Sequence, residues 1–463
     1  MIDRNYLAAV MPPGAGNMPF VLAISVAGLL SCIAALWMPS MAVKLIQIIV
    51  ICAFMMLIRI HILQFLLILT LVPGLFPADF VGFANIAFSS ALILTLFWIA
   101  ALIGLGHDRW ERNKSVELFM AINFLFAFNM FFSSLYNSTE LTIAIIEASR
   151  FILYAGLIVT SYYLMNNFRI IEKLMWTGLA IAIAVAAFSY KTALDMGLGG
   201  SILKYGAALM RQTVSSAVNP NTLATVITFP MPVLLAYLMF SNKKSKKTLL
   251  LGVFMFLAIA WISLNSRANY VYLFTAFLAL VVFHNNRKKY LLILIAIAAI
   301  LIFLILIDAV PLLTMLLRLE GGVTYRDSLW KAALRMVAES PLLGKGPTFF
   351  NQFKFQYMDP DAGRAIVGIW QGVAPHSVPV LRAVEMGIFA VIIQIIFWIL
   401  PVFSLAKNAK KINQSEFYYL YLAAGAMWIG LIFRSLMDTG GSVIGMLLLP
   451  VIYRIPELTK NQK

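Results

Sequence analysis

Charge is scarce in this chain of 463 residues: Asp, Glu, Lys and Arg together make up 12%, about half the share usual in a soluble domain. Cysteine is almost missing. Only Cys32 and Cys52 occur, both inside apolar runs, which excludes a disulfide framework and a CxxC metal signature. The four histidines form no HExxH pair and sit beside no carboxylate cluster, so no metal site is expected. No internal repeat is found either, as a transporter built from two related halves would show.

Hydrocarbon fills the space that these residues leave. The chain is 62% hydrophobic, with a mean hydropathy of +0.91. A bilayer core takes about 20 apolar residues per helix, and helices satisfy their own backbone in lipid where open strands do not. The expected fold is an all-α polytopic membrane protein with roughly 12–14 transmembrane helices by that length rule. Apolar runs place them near Phe20–Trp37, Met41–Ile58, Ile60–Phe76, Val81–Leu105, Glu117–Ser134, Leu141–Met165, Ile171–Tyr190 and Asn221–Phe240. They continue near Leu249–Leu264, Ala268–Phe283, Tyr290–Asp308, Val380–Leu405, Phe417–Arg434 and Val443–Tyr453. The first run reads as a retained span because it lacks a small-residue cleavage site.

The net charge of +16 is explained by orientation. Short basic connections at His107–Lys114, Asn166–Lys173, Ser241–Lys247, His284–Lys289 and Lys407–Lys411, and the tail from Arg454, fall on one face when the spans are counted. The positive-inside rule makes that face cytoplasmic, with both termini on it, and no nucleic-acid partner is needed. The opposite face receives Asn137–Glu140, Lys191–Val218, Ser263–Ala268, Ser435–Gly441 and the one long stretch unfit for lipid, about Pro311 to Pro379. Of the four histidines, His376 alone lies there.

That face keeps arginines which orientation alone would deplete: Arg211, Arg267, Arg318, Arg326, Arg335, Arg364, Arg382 and Arg434 map to it or just below it. Guanidinium groups grip phosphate through paired N–H donors, so the set points to a phosphorylated lipid or another anion; anchoring at headgroups is the alternative for any single member. Residues 324–339 read as an amphipathic helix, with its apolar side in lipid and Arg326 one turn from Trp330. Gly344-Lys345-Gly346-Pro347 makes a turn where backbone can approach a ligand, without the P-loop spacing. His376 is the candidate general base, since histidine ordinarily titrates near neutrality. Asp359 and Asp361 look like solvated loop carboxylates. Glu147 and Arg150 share a helix face and can pair within the membrane. Arg382 and Glu385, three apart just inside the span after His376, are candidates to support the site.

In order along the chain, Arg211, Asn219-Pro220-Asn221-Thr222-Leu223-Ala224, Ser266-Arg267-Ala268, Arg326-Asp327-Ser328-Leu329-Trp330, Ser340-Pro341-Leu342-Leu343-Gly344-Lys345-Gly346-Pro347, His376-Ser377 and Glu385-Met386-Gly387 resemble the O-antigen ligase and polymerase family, including bacterial exopolysaccharide polymerases. The resemblance runs from about Arg211 to Ile395. It divides the chain into N-terminal spans, 1–210, and a ligase-like region, 211–463, holding the loop 311–379. Two motifs depart from the family pattern: His376-Ser377 stands for His-Asn, and Ser266-Arg267-Ala268 for Ser-Arg-Gly.

The resemblance implies a fold like the C-type membrane glycosyltransferases, in a bacterial inner membrane, serving lipopolysaccharide or exopolysaccharide biosynthesis. It implies an inverting glycosyl transfer on the periplasmic face, from an undecaprenyl-diphosphate-linked glycan to a glycan or lipid A-core acceptor, without cofactor or metal. Contacts with membrane lipids and other polysaccharide assembly proteins are implied as well. On the matching positions Arg267 and Arg326 would meet the leaving diphosphate with Arg211 as a third cation, and His376 would activate the acceptor hydroxyl. A flippase or exporter of the lipid-linked glycan is the competing expectation.

Overall fold

The computed structural model describes residues 113–137, 141–197, 220–240, 246–264, 266–284, 326–359, 375–413, 415–438 and 442–460, with isolated positions at 63–64, 67, 287–288, 290–292 and 295. The expected spans before residue 113, and the one at Tyr290–Asp308 beyond residue 295, lie outside the described residues. Within them the chain is about 87% helical and carries no strand.

The helices are α1 (Lys114–Tyr136), α2 (Leu141–Leu164), α3 (Phe168–Asp195), α4 (Pro220–Thr228), α5 (Met231–Phe240), α6 (Lys247–Leu264) and α7 (Arg267–Phe283), followed by α8 (Arg326–Glu339), α9 (Phe349–Tyr357), α10 (Val378–Met386), α11 (Ile388–Ile412), α12 (Tyr418–Ser435) and α13 (Ser442–Lys460). Six of the described helical stretches are long and apolar enough to cross a membrane: α1, α2, α3, the pair α4–α5, α6 and α11. The chain is a multi-pass membrane protein. Helix α12 is richer in tyrosine and carries Arg434, which its position allows because most of its residues are buried against neighbouring helices.

Two expected spans are broken, each for a backbone reason. Between α4 and α5 the chain turns at Phe229–Pro230, where proline supplies no N–H to the helical ladder; the carbonyl of Phe229 is taken by the Tyr272 hydroxyl at 2.8 Å. The second break corrects the single run Val380–Leu405. Gly387, at φ +80°, separates α10 from α11, so Arg382 and Glu385 sit ahead of the membrane span instead of inside it.

Contacts between remote segments define two ends of the bundle. At one end, Asn113 and Tyr162 bond to Glu457, Arg454 donates to the carbonyl of Met165, Phe168 stacks on Phe417, and Tyr419 donates to Glu172. The described basic connections meet there. At the other end, Ser133 and Asn137 of α1 reach Glu385 and Gly344, and the starts of α4, α7, α10 and α11 gather near the close of α12.

A small second core stands at this end. Leu329, Ala332, Ala333 and Met336 of α8 pack with Phe350, Met358 and Val384. The apolar side of α8 is therefore buried against α9 and α10, not in lipid. The interfacial placement expected from its pattern is corrected: periodicity reveals an apolar face but not what covers it.

Candidate functional site

The residue that organises this end is Arg434, in the last turn of α12 and 3% exposed. Its Nε donates to Asn269 Oδ1 at 3.2 Å, one Nη2 bond goes to Thr225 Oγ1 at 2.9 Å, and Nη2 also meets Asp438 Oδ2 at 2.7 Å. Asn269, fully buried on α7, donates through Nδ2 to Ser266 Oγ at 2.9 Å. Thr225 donates to the carbonyl of Asn221 at 2.6 Å. A guanidinium without water must have its donors satisfied, and here α4, α7 and the C-terminal turn of α12 satisfy them together. Arg434, grouped by sequence with the anion-binding candidates, is thus committed to holding helices.

Asp438 carries the network outward. Its Oδ1 lies 3.9 Å from Nδ1 of His376, and both side chains are about one-fifth exposed, at 18% and 20%. That separation exceeds a formed hydrogen bond, yet it turns the Nδ1 edge of the imidazole toward a carboxylate anchored by Arg434. His376 holds φ +50°, a left-handed backbone that histidine tolerates better than most residues. Its predecessor Pro375 is buried and accepts a 2.6 Å hydrogen bond from the indole Nε1–H of Trp330.

The other expected site residues are distributed as follows. Arg267 is the first residue of α7, directly after Ser266, and is partly buried. Arg326 is the first residue of α8, one turn before Trp330. Arg211 lies outside the described residues. Arg335 is engaged elsewhere, with Asp359 at 2.8 Å and the carbonyl of Tyr357 at 2.7 Å, so Asp359 is paired instead of merely solvated.

A second charged group lies beside the first. Arg382 stacks on Phe151 at 4.5 Å and stands 3.7 Å from Glu385, while Arg150 pairs with Glu147 at 2.7 Å on α2. Burial, reinforced by the like charge of Glu147, pushes the Glu385 carboxyl up to about 7 despite the opposing pull of Arg382, the Thr348 N–H and Arg150. Thr348 itself is held at φ +65°, a strained value for a β-branched residue. Arg382 also lines a cavity of about 50 Å³ that runs from Val378 and Ser435 down to Gln394, Trp398 and Trp428.

The glycine-rich turn does something other than approach a ligand. The N–H groups of Lys345 and Gly346 donate to the carbonyls of Val384 and Glu385 at 2.6 and 3.1 Å, and that of Ile388 donates to Pro341 at 2.9 Å. A Cβ on Gly344 would stand 2.5 Å from the Glu385 backbone, and one on Gly387 would overlap the Leu342 carbonyl. The two motifs interlock, fixing the connection from α8 onto the α10–α11 break.

Sequence reasoning missed Asp438, Asn269 and Thr225. An amide buried in an apolar helix is a functional candidate by default, and that rule applied to Asn269 would have found the network. Asp438 gave no comparable signal.

Compared with known protein families, residues 250–395 match the model described as O-Antigen ligase. The match covers α6 to α10 and the beginning of α11, leaving the partners on α4 and α12 outside it. No curated protein matches the chain.

Proposed function

Taking the chain as a member of the O-antigen ligase family, on the strength of residues 250–395, we propose that it is an inverting, metal-independent glycosyltransferase of bacterial surface polysaccharide assembly. It works in the inner membrane with its basic end in the cytoplasm and the His376 end in the periplasm. The donor is an undecaprenyl-diphosphate-linked glycan and the acceptor a glycan or lipid A-core hydroxyl. Residues 211–463 form the catalytic part and 1–210 the spans that flank it.

The observation that supports this most is the line Ser266–Asn269–Arg434–Asp438–His376, which ties the Ser-Arg motif to the one histidine of that end among the described residues. In the reaction the acceptor oxygen attacks the anomeric carbon from the side opposite the diphosphate. The bond from carbon to the diphosphate oxygen breaks, the new glycosidic bond forms, and the acceptor proton passes to Nε2 of His376. Asp438 holds the resulting imidazolium. Negative charge growing on the diphosphate is met by the guanidinium groups of Arg267, Arg326 and Arg211, since positioned cations stabilise a leaving anion. Glu385 and Arg382 support the site through the break between α10 and α11.

Purified protein in nanodiscs, given lipid-linked repeat units alone, tests this directly. Lengthened chains identify a polymerase, and reaction only after a second acceptor is added identifies a ligase. His376→Ala and Arg267→Ala should each leave the lipid-linked precursor unreacted. Wild-type product from His376→Ala would sink the assignment, and precursor retained on the cytoplasmic face of cells lacking the protein would favour transport.

A further inference from the structure

The turn after α8 carries two leucines that stay exposed among the described residues: Leu342 is 56% exposed and Leu343 36%. Water would be a poor neighbour for a rigidly held pair of this kind. The turn is indeed rigid, because Ser340 Oγ donates to the Gly344 carbonyl at 2.7 Å and the following N–H groups bond to α10.

Its surroundings identify what meets it. Pro341 bonds to Ile388, the first residue of α11, and from that point α11 shows a continuous stripe of exposed side chains: Ile388, Phe389, Ile392, Ile396 and Ile399. Gly344 bonds to Asn137 at the end of α1, whose Phe132 and Leu135 are 47% and 48% exposed and whose Tyr136 is 70% exposed. The leucines thus sit between the ends of two membrane-crossing helices, in line with their lipid-facing sides. A tyrosine at that level marks the usual depth of the boundary between headgroups and hydrocarbon.

We propose that Pro341–Leu343 is a membrane-inserted anchor, seated in the outer boundary of the hydrocarbon layer on the His376 side. It continues the lipid-facing surface of α1 and α11 into the connection between α8 and α9. The occupant of this surface is bilayer lipid, bound through its acyl chains and without headgroup selection. Through Trp330 and the Pro375 carbonyl, the depth of this anchor also fixes the height of His376 above the membrane. The anchor itself does not depend on the proposed chemistry.

The test uses the full-length protein in phosphatidylcholine nanodiscs. Cys32 and Cys52 are replaced by serine, and a nitroxide is placed in turn at Leu342→Cys, Leu343→Cys, Ile388→Cys and Gln352→Cys. Ile388 reports the lipid-facing stripe and Gln352 the exposed side of α9. At positions 342 and 343 the label should be accessible to oxygen and shielded from a water-soluble nickel chelate, as at 388, with an accessibility ratio several-fold above that at 352. Nickel accessibility at both leucines equal to that at 352 would overturn the proposal. Phosphatidylcholine brominated near the ester end should also quench a bimane attached at Leu343→Cys more than one at Gln352→Cys, and equal quenching would count against insertion.

Discussion

The indole N–H of Trp330 donates to the carbonyl of Pro375 at 2.6 Å, spanning 45 residues of sequence to hold the peptide that carries His376. Trp330 stands on α8, which the small core holds in place, and Pro375 is buried. The histidine keeps its left-handed backbone within that frame.

Trp330→Phe keeps the ring and removes the donor. The variant should lose about 1 kcal/mol of stability, the usual net worth of one such bond. Its turnover should fall roughly tenfold as the imidazole loses its alignment. Thermal unfolding in detergent and a polymer assay on the same preparation separate the two effects; unchanged turnover would deny Trp330 a positioning role.

Asp438→Asn leaves size and shape intact while removing the charge that faces Nδ1 of His376. Turnover should fall by roughly 100-fold, and binding of the lipid-linked donor should hold, since the loss falls on proton transfer. Equal losses in turnover and donor affinity would show instead that Asp438 serves the diphosphate.

Gly387→Ala forces a Cβ into the Leu342 carbonyl at a residue with φ +80°. Strain and collision together should cost about 3 kcal/mol. The damage should concentrate where the loop meets α11, so hydrogen exchange at Lys345 and Ile388 should rise before that of the bundle. Exchange rising equally throughout would place the defect elsewhere.

Glu385 gives the protein a pH dependence of predictable sign. Its folded carboxyl titrates near 7, above the ordinary value of 4.5, because burial favours the neutral form. The folded state therefore gains from this group fully below about pH 4.5, and the gain is lost as pH rises through about 7. Glu385→Gln should match the parent near pH 4 and exceed it at pH 8, by up to about 3 kcal/mol. Identical melting profiles across that window would mean that the carboxyl titrates normally.

Much of the architecture was readable because lipid imposes a simple code. Apolar runs located α1 to α3, α6 and α12 to within a few residues, and the spacing of Glu147 and Arg150 foretold their pair. The break at Gly387 was hidden because apolar residues resume at once on its far side, so a window of hydropathy averages across it. The face of α8 misled for the opposite reason: its periodicity was real, but α9 and α10 cover it. Asp438 was invisible because its meaning depends on Arg434, one turn earlier, and on His376, 62 positions away in the chain. A lone aspartate before Thr439-Gly440 reads as an ordinary turn.

The bonds of Arg434 carry a consequence for biogenesis. A ribosome releases Ser266, Arg267 and His376 into the membrane well before the end of α12, so the earlier motifs must wait for Arg434 and Asp438 to join them. Until that last turn is in place, Asn269 lacks the Arg434 guanidinium and the imidazole lacks the Asp438 carboxylate. On the proposed mechanism a half-inserted chain would therefore be silent, its site completed only as insertion reaches α12.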